Sequence, residues 1–207
     1  LRFTEGEYTI QYGDLKDVSV ERWNTVLNLS DSTMVGGSIS LSDYYYSWDP
    51  GADGDETLER NRFEDVTLYA YKDRVGTALT IRNNVFYRSK LTIEGDYSDT
   101  VTIKGNSFLD LDRVAVSSRG NLDATGNYWG TTDLAIIDRM IDDGIDQGTE
   151  NRVSYLPLQA ASANYFVVRY DSQGGSVVQS DTVELYSQLT QPVSPVKDNY
   201  AFAGWYQ

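Results

Sequence analysis

Three sets of residues have types and spacings that could do chemistry. The stretch from Asp43 to Glu56, DYYYSWDPGADGDE, alternates Tyr44, Tyr46 and Trp48 onto one side of an extended chain. A row of exposed rings can stack on sugar faces or anchor a protein partner, and the same rings could instead fold back over the edge of the structure below them. Asp49, Asp53, Asp55 and Glu56 in this stretch could supply oxygen ligands to calcium. Their spacing is not that of an EF-hand, and a solvated acidic turn is the plainer alternative. Tyr69 and Tyr71 face outward if Val66, Leu68 and Ala70 face in, so they would extend an aromatic surface or pack on outward neighbours across a sheet. The carboxylate pairs Asp110/Asp112 and Glu94/Asp96 lie two residues apart and could share strand faces at the separation that glycoside hydrolysis uses. Asp is abundant in every turn of this chain, and no base or metal cluster stands beside either pair, so no catalytic residue is assigned.

Composition removes other chemistries. The 207 residues contain neither Cys nor His. That excludes zinc-thiolate and imidazole metal sites, cysteine nucleophiles and Ser-His-Asp triads within the chain. A net charge of −14 argues against a nucleic-acid partner, since phosphate binding needs surplus Lys and Arg. No apolar run approaches the length of a membrane span. Leu1 at the start, and the stop after Gly204-Trp205-Tyr206-Gln207, read as a fragment of a longer, processed protein.

The elements that must position these residues follow from a repeat. Asn-x-aromatic recurs as Asn61-Arg62-Phe63, Asn84-Val85-Phe86, Asn106-Ser107-Phe108 and Asn127-Tyr128-Trp129, with the asparagines 23, 22 and 21 residues apart. Apolar Leu58, Ile81, Ile103 and Ala124 stand three positions before each Asn, and Leu79, Val101 and Leu122 stand five before. The approach to each Asn therefore reads in-out-in, with the period of a strand. A unit of roughly 22 residues with only short strands cannot bury its own apolar side chains, so it must lie on a copy of itself about 4.8 Å away. Phe63, Phe86, Phe108 and Trp129 then form one internal column. Asn suits the turn because it tolerates a left-handed backbone and its amide bonds both up and down a ladder. Thr80 and Thr102 face outward. After each aromatic, Val66 and Leu68, Leu91 and Ile93, and Val114 and Val116 sit at unequal offsets, as expected for loops of unequal length.

Leu1-Arg2-Phe3, Tyr8-Thr9-Ile10, Val18-Ser19-Val20, Val26 to Leu29 and Ser38 to Leu41 fit earlier, less regular coils. After Trp129 the period becomes helical: Ile136, Ile137, Met140, Ile141 and Ile145 follow the N-cap candidates Thr132 and Asp133, with Gly144 placed for a C-cap. This predicts a helix over about 132–146 that covers the last coil's open core and unpaired edge. Val153 to Pro157 reads as a final edge strand, and 159–164 as a small-residue linker.

Two resemblances become specific at this point. The four repeats with Gly126-Asn127-Tyr128-Trp129-Gly130, the helix and Val153-x-Tyr155-x-Pro157 resemble the end of right-handed parallel β-helix proteins of the pectin-lyase-like class, over 1–158. Residues 165–207 are similar to the start of an internalin B-type (Listeria-Bacteroides) repeat. The matching positions are Val167, Tyr170-Asp171-Ser172-Gln173-Gly174-Gly175-Ser176, Pro192, Pro195, Lys197 and Tyr200-Ala201-Phe202-Ala203-Gly204-Trp205-Tyr206. Gln173 stands where Asn is usual and Asn199 where Gly is usual, and Asn accepts a positive φ next best to Gly. The resemblances imply an all-β chain: a right-handed parallel β-helix solenoid with a C-terminal capping helix, then part of a small β-grasp-like module. They further imply an extracellular bacterial surface location and adhesion to a host or microbial glycan or surface protein, without membrane insertion. A polysaccharide lyase or glycosidase with active coils upstream, and a stalk without a ligand, are the alternatives. No cofactor is implied beyond the possible calcium.

Overall fold

Strands as short as those between the turns cannot hold a core alone, and the chain solves this by stacking them in parallel. The computed structural model describes residues 1–4, 6–23, 25–43, 54–72, 78–95, 101–162, 165–184 and 189–205. They divide into two units, Leu1–Asn164 and Tyr165–Gln207. The first is a parallel β-solenoid with three sides. One side is a five-stranded sheet of β2 (Glu7–Gln11), β4 (Val26–Ser30), β6 (Glu56–Glu59), β9 (Leu79–Arg82) and β12 (Val101–Lys104). Before it lies β1 (Arg2–Phe3). The long strands β3 (Asp14–Trp23) and β5 (Thr33–Asp43) each cover both other sides. Later coils split them, the second side into β7 (Arg62–Glu64), β10 (Val85–Tyr87) and β13 (Ser107–Phe108), and the third into β8 (Thr67–Lys72), β11 (Lys90–Glu94) and β14 (Val116–Ser118). β5 turns this corner at Gly36-Gly37, both at positive φ, where a Cβ on Gly37 would lie 2.1 Å from the Val18 carbonyl oxygen.

The Asn ladder forms as the spacing requires. Asn61, Asn84, Asn106 and Asn127 are all buried. Each side-chain oxygen accepts the backbone N–H of the preceding rung at 2.8–3.0 Å, as in Asn61 to Asn84, Asn84 to Asn106 and Asn106 to Asn127. Each amide group donates to the strand carbonyl three residues before that rung, as from Asn84 to Leu58 and from Asn106 to Ile81, both at 2.8 Å. Ser32, with its N–H on Asn61 Oδ1 and its hydroxyl accepting from Gly13 N–H, continues the ladder into earlier coils. The left-handed residue is not the Asn, however. It is the residue just before it: Arg60, Asn83, Gly105 and Gly126, and Asp31 before Ser32. Asn is used here for its amide, which satisfies groups in two coils at once, and the turn's positive φ falls on its neighbour.

Inside, the predicted aromatic column is continuous. Phe63, Phe86, Phe108 and Trp129 are buried, with centroids 5.0, 5.1 and 4.7 Å apart, and Tyr155 closes the column edge-on to Trp129 at 6.3 Å. Met34 and Leu15 extend it toward the N-terminus through their register with Phe63. On the third side the inward pairs are Leu68/Ala70 and Leu91/Ile93, in direct register. Val66 is buried at the corner instead. Between the second and third sides, the offset changes where the turn at Leu111–Arg113 adds residues before Val116, which faces Leu91.

The capping helix is shorter than its periodicity predicts. α1, after β15 (Leu122–Asp123), spans Leu134–Arg139, with Asp133 as N-cap accepting from Ala135 N–H at 2.9 Å. It ends because β16 (Ile141–Asp142) pairs with Val116–Ser117, and backbone hydrogen bonds to a sheet compete with helical ones. Ile145 is consequently exposed rather than on a helical apolar face. Gly144 is not a C-cap but sits in a tight turn, where a Cβ would meet Thr149 Oγ1 at 2.1 Å. Ile137 and Met140 still close the core, fully buried, at about 2 kcal/mol each. Ile137→Asp should open this end and cause association detectable by light scattering; an unchanged monomer would refute the capping role. The predicted edge strand narrows to β17 (Val153–Ser154), parallel to β15. The second unit pairs β18 (Tyr165–Val168) antiparallel with β19 (Asp181–Glu184).

Candidate functional site

The third side of the solenoid presents an outer face built in rows. Because side chains alternate, every second residue of β3, β5, β8, β11 and β14 points out, and parallel register aligns these residues in rows about 4.8 Å apart. One row runs Ser19, Ser38, Thr67, Lys90. The next runs Glu21, Ser40, Tyr69, Thr92, Ser117, Asp142. The third places Trp23, Ser42, Tyr71 and Glu94 in register, with Arg119 beside Glu94. Two of the predicted aromatics thus come together with a third, Trp23, which is 47% exposed. Tyr69 Oη donates to Glu94 Oε2 at 3.0 Å, and Arg119 Nε lies 3.3 Å from Glu94 Oε1. Tyr69 and Tyr71 are half-buried by these neighbours, so their ring planes are braced rather than loose. Hydroxyls surround the rings, and no aliphatic side chain occupies the three rows. Nothing in the sequence ties Trp23 or Arg119 to this face, and Glu94 stands out there only as a partner of Asp96, because the residues they meet lie one or two coils away. Only the register brings them to the tyrosines.

The predicted acidic loop divides. Tyr44, Tyr46, Trp48, Asp49 and Asp53 lie outside the described residues. Asp55 is exposed and accepts from Ala78 N–H at 2.9 Å. Glu56 points the other way. It is fully buried at the start of β6, where Arg22 Nε donates to Oε1 at 2.6 Å, a second Arg22 nitrogen meets Oε2, and Lys72 Nζ donates to Oε2 at 3.2 Å. Leu27 N–H adds a bond to Oε1 at 3.1 Å. As a solvent-side calcium ligand Glu56 is therefore corrected, because both its oxygens are committed to cations of the protein itself. Among the described residues no group of three or more acidic side chains is arranged to hold a metal ion. Asp110 and Asp112 do not share a strand face either: Asp112 N–H bonds Asp110 Oδ1 at 3.2 Å within a turn.

Outside the rows, ion pairs join successive coils at the corners. Arg60 grips Asp31 with two bonds of 2.6 and 2.8 Å, and this guanidinium holds the Asp31 carboxyl below the usual range. Arg88 does the same to Asp65 at 2.8 and 2.6 Å, with its guanidinium 4.4 Å over the Tyr87 ring. These exposed pairs set coil alignment more than stability.

The second unit is organised around turns. Gln173 and Asn199 both adopt positive φ, at 52° and 63°. Lys197 Nζ donates to the Gln173 carbonyl at 2.8 Å, and Tyr170 and Phe202 each lie 5.2 Å from Trp205. Residues 166–207 match the Listeria-Bacteroides repeat domain. The match to this repeat domain covers the second unit and leaves the solenoid outside it. Two proteins of Evansella cellulosilytica are also similar to the chain, "Putative membrane protein" and "Putative Gly-rich membrane protein", at 39% and 37% identity over 59 residues, 28% of the chain. The similar segment spans 8% and 6% of those proteins' lengths. No solved structure matches. Among the described residues no helix is long and apolar enough to cross a membrane.

Proposed function

We propose that the chain belongs to a bacterial cell-surface protein in which a β-helix of the pectin-lyase-like class binds a host or microbial glycan or surface protein, and an internalin B-type repeat spaces it. The carrying observation is the outer face of the third side. Trp23, Tyr69 and Tyr71 lie among Ser and Thr hydroxyls on rigid strands, an arrangement that offers flat rings for stacking and short donors for hydroxyl-rich partners. The repeat-domain match and the relatives' names support a surface location. A glycan and extracellular-matrix array probed with the chain tests the reading. Trp23→Ala and Tyr71→Ser should each weaken binding to the best array ligand by about tenfold or more, with the melting temperature nearly unchanged for the exposed Trp23. Full retention of binding by both variants would remove the face from consideration.

A further inference from the structure

At one edge of this face the corner turns of three coils enclose a concavity of about 450 Å³. Its lining includes Asp65, Thr67, Arg88, Ser89, Lys90 and Arg113. In a chain of net charge −14, the lining carries three cations and one carboxylate, with Glu64 and Asp110 at its margin. The cations are not equally committed. Arg88 is occupied by the bidentate contact to Asp65 and by Glu64 at 2.9 Å. Arg113 is about two-thirds exposed, with a single 3.5 Å approach to Asp110. Lys90 makes no ion pair with any described residue. Asp65 is the carboxylate of the lining; Arg88 holds it by two hydrogen bonds, and Arg113 adds a weaker Coulomb attraction. Two cations with charge to give, one an ammonium and one a guanidinium, therefore approach from different coils, next to the exposed Thr67 on the row that Lys90 shares.

We propose that this concavity seats a phosphate or sulfate ester group carried by the ligand of the adjoining face. Separate donors arriving from different directions can reach the oxygens of a tetrahedral anion, and guanidinium and ammonium groups both bind phosphate. The concavity is also larger than an anion, leaving room for the unit that bears it. The inference rests on the face described above, since Thr67 and Lys90 belong to both.

The test titrates the whole chain with poly(glycerol phosphate), dextran sulfate and neutral dextran by calorimetry. One or both polyanions should bind while neutral dextran does not, and affinity should fall about tenfold between about 50 and about 200 mM salt, as two released counterions require. The double variant K90Q/R113Q, altered only at solvent-facing groups, should lose about tenfold or more in polyanion affinity with an unchanged melting temperature. Preference for the phosphate polymer or for the sulfated one identifies the source of the ester. Equal binding by wild type and K90Q/R113Q, or no polyanion binding at all, would overturn the assignment. Tyr71→Ser separates the two readings. If its array binding falls while K90Q/R113Q is silent toward polyanions, the anion site fails and the face stands. If only K90Q/R113Q matters, the concavity binds an anion by itself, the face fails, and the assignment of the ester to a ligand of that face is overturned with it.

Discussion

Phe86→Ala should lower the unfolding free energy by about 3–5 kcal/mol, a large share of the total for a domain of this size. Phe86 is fully enclosed, with Phe63 5.0 Å on one side and Phe108 5.1 Å on the other. Truncation removes the ring's transfer free energy and leaves a cavity that the strands cannot collapse into, because backbone spacing is fixed by the ladder. It also removes two ring contacts worth about 0.5–1.5 kcal/mol each beyond burial. Position within the stack adds a second expectation. In a quasi-one-dimensional fold each coil touches only its neighbours, so weakening the middle coil should uncouple the two ends and broaden the denaturant transition. Phe86→Leu, which keeps most of the volume, should recover most of the loss. Equilibrium urea unfolding followed by fluorescence and circular dichroism checks both; a loss below about 1 kcal/mol for the Ala variant would mean the column is not the core.

That column was legible in the sequence because each Asn and each aromatic serves the same purpose in every coil, so selection for stacking leaves a period behind. Legibility failed where one side chain's purpose lies outside its own coil or element. The helical pattern through Ile145 is real, but β16 takes Ile141 into the sheet, and tertiary pairing outweighs local periodicity. Alternation alone places Tyr69 and Tyr71 outward, whereas bringing Trp23 and Glu94 to them takes the register of β3 through β5 to β8 and of β11 against β8. The shift by three residues at Leu111–Arg113 hid the alignment of Val116 with Leu91. The buried charge does leave a mark in the sequence. Five residues before each later Asn stand Leu79, Val101 and Leu122, all facing in or partly so, and five before Asn61 stands Glu56. A carboxylate at an inward ladder position announces that a cation must be buried beside it.

Glu56→Leu should for this reason destabilise the solenoid by about 3–5 kcal/mol although it places an apolar residue at an apolar ladder position. Register sets Glu56 against Leu79, so leucine fits the row. What it cannot replace is charge: Arg22 and Lys72 are buried on the carboxylate's two oxygens, and losing it leaves two cations inside with less compensation. The Leu27 N–H loses an acceptor as well. Glu56→Gln keeps the shape and that acceptor but not the charge, so it should fall between wild type and Leu, which separates the charge from the packing. Coupling supplies the decisive measurement. If the destabilisation comes from stranded cations, then Lys72→Met, costly alone, should cost less in the Glu56→Leu background, with a coupling of about 0.5–3 kcal/mol. Additive losses in urea unfolding across this double-mutant cycle would show that Glu56 and Lys72 act separately, and that the buried charges are held by something other than each other.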